Sequence, residues 1–321
     1  MNKSSEGTVE LSFWSSLDCG SRDVGRQFLE ILLRFGFVPE RFGDEDPPTI
    51  KFNPSSTAEF MNEWEKHPGQ LVIEKRGRNS FQALVHLGVN PYVVMSTYFV
   101  FFLRDQYFGS ESPSKFLLFA EEMYALFKPV QGDIGHYEDR KAKTFIRTPI
   151  ILGKLRTYAE GYIPVNPTWR LPGIYWANFL GPIFVEFFSR EKIEAAPCYS
   201  KKRLGDGGYL ILTSESPLDY SKVETKQRER TLTEYFGDDT VFDKNRPDRI
   251  LKSPLPFRGK RPSPPTERPR IIGASGNLKA CPDCGESSKI EKTSWDPVNN
   301  LVGFRCLKCG AIWAADSSLL Q

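Results

Sequence analysis

Apolar and polar residues alternate through VELSFW (9–14), the period of a half-buried strand. Val24, Phe28, Ile31, Leu32 and Phe35 then recur at helical spacing until Gly36, which predicts a helix with its stop signal. Two strand-like runs, LVIEK (71–75) and FQALVHL (81–87), flank RGRNS as a hairpin. The order to this point is β-α-β-β. YVVMSTYFVFFL (92–103) is too short to span a bilayer and suits a buried strand. Ser112-Pro113 places a cap before a proline at the first helical position, and Phe116, Phe119, Met123 and Phe127 share one face of the helix that follows, up to Pro129.

The most aromatic stretch, LPGIYWANFLGPIFVEFF (171–188), carries one charged side chain, Glu186. Pro172, Gly173, Gly181 and Pro182 cut it, so it does not cross a membrane. GIYWANFLG reads as a strand, Pro182 starts a helix PIFVEFFSREKIEAA, and Tyr175, Trp176 and Phe179 are expected to fill core. CYSKKRL and YLILT flank Gly205-Asp206-Gly207-Gly208 as a hairpin, and a last helix, VETKQRERTLTEYFG, ends at Gly237. Hairpins mixed with helices, in place of strict βαβ alternation, predict an α+β fold, mostly antiparallel sheet with packed helices.

Charge divides the chain of 321 residues into three parts. Residues 1–243 carry 29 Lys and Arg against 33 Asp and Glu, residues 244–277 carry 9 against 2 with seven prolines, and residues 278–321 carry 5 against 5. The expected organisation is therefore a mildly acidic domain (1–243), a basic proline-rich linker (244–277) and a small tail domain (278–321). The amino terminus, MNKSSEGTVELSFW, has no apolar core of a signal peptide, so a cytoplasmic location is the expectation.

The tail explains most of the cysteine. Cys281-x2-Cys284 and Cys306-x2-Cys309 each precede a glycine, and four thiolates at this spacing form a tetrahedral set for Zn²⁺. KIEKTSW, LVGFRC and AIWAA are expected as three strands of a zinc ribbon, whose four-cysteine site makes one zinc ion structural and not catalytic. The ribbon is charge-balanced, and the positive charge lies in the linker beside it. A nucleic-acid-binding adaptor built from ribbon and linker is the alternative function that this pattern allows.

Catalytic motifs are harder to find. The three histidines, His67, His86 and His136, form no HExxH, and there is no P-loop, no G-x-S-x-G and no dinucleotide fingerprint. GDIGHYEDR, with Asp133, His136, Glu138 and Asp139, is a candidate metal or acid–base site, but a polar loop of solvated charges is the expectation for it. The acidic turn Asp44, Glu45 and Asp46 before Pro47-Pro48 is a candidate contact for a basic partner.

Leu171 through Tyr220, with its Pro-Gly start, Tyr-Trp-x-Asn strand, Gly-Pro helix start, glycine-rich hairpin and Ser-Pro-Leu-Asp exit, resembles the immunity proteins of bacterial polymorphic toxin systems, most closely the immunity protein 52 family. The segment Glu229–Asp243 fits the same scheme. The resemblance implies an α+β cytoplasmic protein that binds a cognate protein toxin and blocks it without chemistry of its own. Tyr175, Trp176, Asn178, Gly181 and Pro182 are then fold determinants, and the linker and ribbon are a departure from the simple family pattern.

Overall fold

Val9, Leu11 and Phe13 alternate with Glu10, Ser12 and Trp14, which gives the first strand two chemically different faces. The computed structural model of the chain describes residues 7–66, 69–77, 80–90, 95–152, 155–162, 171–237 and 239–244, and the strand segments 270–271, 290–296, 301–306 and 312–316. In chain order the elements are β1 (Thr8–Ser15), α1 (Arg22–Arg34), β2 (Arg41–Gly43), β3 (Ile50–Lys51), α2 (Ala58–Glu65), β4 (Gly69–Lys75), β5 (Phe81–Asn90) and β6 (Met95–Arg104). They continue as α3 (Gln106–Ser110), α4 (Pro113–Phe127), β7 (Gln131–His136), α5 (Tyr137–Thr144), β8 (Phe145–Leu152), β9 (Leu155–Tyr162) and β10 (Ala177–Leu180). Then follow α6 (Pro182–Phe188), α7 (Arg190–Glu194), β11 (Ser200–Arg203), β12 (Tyr209–Leu212), a 3-10 turn (Pro217–Ser221) and α8 (Val223–Phe236). Contacts divide the chain into two units: Lys3–Thr144 with Ile163–Pro256, and Met1–Asn2 with Phe145–Tyr162 and Phe257–Gln321.

The first of these units is built on a ten-stranded sheet in the order β11-β12-β10-β7-β1-β6-β5-β4-β2-β3. Its strand pairs are antiparallel, so the α+β expectation holds. Register keeps each face chemically uniform. Phe13 of β1 faces Phe99 of β6 and Gly132 of β7, while Ser12 faces Val100 and Asp133.

One face is apolar. Val9, Leu11, Phe13, Ala83, Val85, Phe99 and Phe101 are buried there with Phe28 and Leu32 of α1, Phe60 and Trp64 of α2, and Phe116, Phe119, Met123 and Phe127 of α4. Rings interlock at stacking and edge distances, among them Phe99 with Phe127 at 5.1 Å and Phe37 with Phe119 at 4.8 Å. Ser112 caps α4 by accepting from the Ser114 N–H, as the Ser-Pro signal predicts.

The other face is mixed. A smaller apolar cluster, including Ile174, Leu180, Phe184, Phe188, Ile211, Leu232 and Phe236, lies beside buried charged groups under α5 and α8. Strand β7 separates the two faces, and its glycines admit rings from both sides. A β-carbon at Gly132 would sit 2.0 Å from the Phe13 ring, and one at Gly135 would sit 2.8 Å from the Tyr175 ring.

Four expectations need correction. GDIGHYEDR is not a solvated loop: Gln131–His136 is an interior strand and Tyr137 begins a helix, with Asp133, His136, Asp139 and Arg140 all buried. The helix from Pro182 is two short helices, because Ser189 turns to a φ of 70° and caps the second by accepting from the Lys192 N–H. The aromatic strand is limited to Ala177–Leu180, and β2, β3 and α2 are inserted before β4.

In the second unit, β8 and β9 form a hairpin. β13 (Arg270–Ile271), β14 (Ile290–Asp296), β15 (Leu301–Cys306) and β16 (Ile312–Asp316) form a sheet in the order β13-β16-β15-β14. The three antiparallel strands match KIEKTSW, LVGFRC and AIWAA. β13 pairs parallel with β16, although its residues fall in the stretch expected to be linker.

Candidate functional site: a buried ion cluster

Asp133 projects from the middle of β7, between Ser12 of β1 and Asn178 of β10. The chain turns into α5 four residues later, at Tyr137, which brings Arg140 back over the strand it has just left. The Arg140 guanidinium binds Asp133 Oδ1, donates to the Glu10 carbonyl at 3.2 Å, and lies 3.4 Å through Nε from the Glu10 carboxylate. That last approach is ionic only: Nε has no hydrogen bond.

The next turn of α5 extends the cluster. Lys143 Nζ contacts Asp139 Oδ2 at 2.6 Å and Glu229 Oε2, on α8, at 2.9 Å. Lys226, also on α8, binds Asp139 Oδ1 and lies 3.3 Å from Glu229. Tyr175 completes the site. Its ring takes Arg140 at 4.6 Å and Lys143 at 4.7 Å from the centroid, a double cation–π contact against Gly135. Asn178 holds that tyrosine in place, accepting from the Tyr175 N–H and donating to the Tyr175 carbonyl.

Four carboxylates (Glu10, Asp133, Asp139, Glu229) thus face three cations (Arg140, Lys143, Lys226). One negative charge is left over in a site where Asp133 and Asp139 are each only 2% exposed. Burial accordingly pushes the Asp133 carboxyl up to about 6 despite the opposing pull of Arg140. Burial also raises Glu229, again against its lysine neighbours. At Arg140 burial works against the charge, but Asp133 and Glu10 outweigh it and hold the guanidinium protonated. Asp133 Oδ2, Glu229 Oε1 and the Tyr175 hydroxyl are buried without a hydrogen-bond partner.

His136 stands apart from this cluster. Its Nδ1 accepts from the Glu138 N–H, its Nε2 is 3.1 Å from Asp105, and its ring stacks on Tyr220 at 3.9 Å. Both ring nitrogens are engaged, so His136 does not combine with Asp133 or Asp139 as a ligand set. Among the described residues no group of three or more His, Cys, Asp or Glu is placed to hold a metal ion.

Asp44, Glu45 and Asp46 lie exposed on the turn after β2, where Asp46 accepts from Gln82 Nε2 at 3.2 Å. Cys281, Cys284 and Cys309 lie outside the described residues, and Cys306 is the last residue of β15. Sequence reasoning missed Glu10, Arg140, Lys143, Lys226 and Glu229 as a unit. One available signal was Glu10, the single charged residue of β1, set between Val9 and Leu11.

No protein-family model matches the chain, and no curated protein does. Among solved structures, the chain is similar to one titled Pseudomonas aeruginosa T6SS protein PA0821, at 11% identity and a TM-score of 0.43, over 80% of this chain and 89% of that one. Among the described residues no helix is long and apolar enough to cross a membrane.

The Asp133 environment sets a pH dependence. The carboxyl titrates at about 6 when folded against an ordinary 3.8, so the folded state binds the proton more tightly across that interval. Its contribution is fully present below the lower value and is lost as pH rises through about 6. Urea titrations from pH 4 to pH 7 are expected to show wild-type stability falling relative to Asp133→Asn by on the order of 1–3 kcal/mol. Parallel pH profiles for the two proteins would contradict this.

Proposed function

We propose that the chain is a non-enzymatic, immunity-type binding protein that occludes a cognate bacterial toxin in the cytoplasm. The observation that carries this reading is the state of the titratable groups brought together by the fold: they are paired with one another under α5 and α8. Such a cluster organises a scaffold, and recognition then falls to the surface. The burial of the motif residues Tyr175, Trp176 and Asn178 supports reading them as fold determinants. Tyr175 and Asn178 are locked together in the interior, and Trp176 Nε1 donates to the Ser214 carbonyl. The exposed Asp44–Asp46 turn supports capture of a basic partner, since a local negative field speeds encounter.

The test is co-expression with a toxin encoded by an adjacent reading frame. Cells carrying both are expected to survive, with protection reduced when Asp44, Glu45 and Asp46 are all changed to Lys. Equal killing with and without this chain would remove the proposal.

In the tail, we propose one structural zinc ion on Cys281, Cys284, Cys306 and Cys309. Their spacing and the antiparallel strands β14–β16 support it. Elemental analysis is expected to give one zinc per chain, lost in a Cys281→Ser/Cys284→Ser variant; full zinc in that variant, or none in the wild type, would refute the site.

A further inference from the structure

Strand β11 ends the ten-stranded sheet, and all four of its residues, Ser200–Arg203, are exposed. Beside it, the outer side of α4 and the β11–β12 turn enclose an open groove of about 600 Å³, within the range of sites that take several side chains. Leu118, 54% exposed, lies along its wall with Ala125.

The charges around this groove are unequal in their commitments. Glu121 is paired with Lys202 at 2.6 Å, Glu122 is paired with Arg34, and Asp206 accepts from the Tyr124 hydroxyl and from the Gly208 N–H. Lys128 and Arg203, by contrast, make no close ion pair among the described residues, and Arg203 acts on Glu194 only at longer range. The groove's anions are therefore engaged, while these two cations are not held in close pairs.

Lys128 also breaks a local rule. It follows the last turn of α4 at φ 43° and ψ 58°, the left-handed conformation that glycine adopts most readily. A lysine held there sets a cation on the groove rim at the cost of backbone ease, a pattern that recurs where function overrides local preference.

We infer that this groove binds an acidic, extended segment of a protein partner, which seats an apolar side chain on Leu118 and runs beside the open edge of β11. The cations specify the partner. An uncharged or basic strand gains nothing from Lys128 and Arg203, and a second copy of this edge would set Lys201, Lys202 and Arg203 against themselves. An acidic strand both neutralises the rim and completes the sheet edge, the mode in which main-chain bonds give affinity and side chains give specificity. The strand order puts this edge at the far end of the sheet from the acidic turn at 44–46, so the two surfaces can be altered separately.

The inference rests on the binding-protein reading for the identity of its partner, and the experiment has two arms. In the first, the full chain is titrated against a fluorescent eight-residue peptide alternating Glu and Leu, and against its Lys and Leu counterpart. The acidic peptide is expected to bind, and at least tenfold more weakly to Lys128→Gly/Arg203→Glu, a variant that relaxes the backbone at 128. No binding, equal binding of the basic peptide, equal binding by the variant, or displacement by a single-stranded oligonucleotide would overturn the inference. In the second arm the variant is co-expressed with the neighbouring toxin. Lost protection supports the groove; undiminished protection by the variant overturns it as the partner's site and leaves the immunity reading standing. Failure of the wild type to protect defeats the immunity reading, while the peptide arm still decides the groove.

Discussion

A carboxylate buried in the middle of a sheet requires a counter-charge within reach, and that requirement at Asp133 shapes the second face of this protein. Transfer of an unpaired charge into an interior is prohibitive, so the helix that follows β7 has to return Arg140 to the strand. Once α5 lies there, Asp139 and Lys143 on its next turn need partners too, and α8 supplies them as Lys226 and Glu229. Two sets of ion pairs, Arg140 with Asp133 and Glu10, and Lys143 and Lys226 with Asp139 and Glu229, tie α5 to the sheet and α8 to α5. Tyr175 fits because its ring covers two of the cations and because Gly135 has no side chain to oppose it.

The two faces do different work. The aromatic face gains its stability from burial and interlocked rings, which are non-directional compared with ion pairs. The charged face is less permissive, since each ion pair holds only in one geometry and leaves an unpaired charge in any other. A face of this kind specifies one packing of α5 and α8 more than it adds to stability. Under the binding-protein proposal, that uniqueness would be the useful property. Binding residues can then lie at the sheet edges and along α4 without disturbing the interior.

Much of the fold was legible where local pattern and tertiary environment agree. Strand β1, the β4–β5 and β11–β12 hairpins, and helices α1, α4 and α8 all followed from periodicity, caps and turn residues. The failures have two physical origins. GDIGHYEDR looked solvated because local pairs such as Asp133–Arg140 and Asp139–Lys143 do not by themselves signal burial, and the α8 groups that complete the cluster are remote: Lys226 stands 87 residues from Asp139. Pairing at that separation leaves no trace in a local window. The break at Ser189 was similarly hidden, because a serine at positive φ is carried by its cap to Lys192 and not by a breaker residue. The exposed turn at 44–46 was legible as a surface feature. The groove at β11 was not, since it depends on which carboxylates are already engaged.

The central claim is that Asp133 and Arg140 act as one unit. A double-mutant cycle with Asp133→Leu, Arg140→Met and both together, followed by urea unfolding at pH 7, tests it most directly. Each single change is expected to cost about 3–5 kcal/mol, and the pair together clearly less than the two costs combined, because an apolar pair leaves no stranded charge between them. Losses that simply add, with a coupling below about 0.5 kcal/mol, would show two independent side chains and contradict the account.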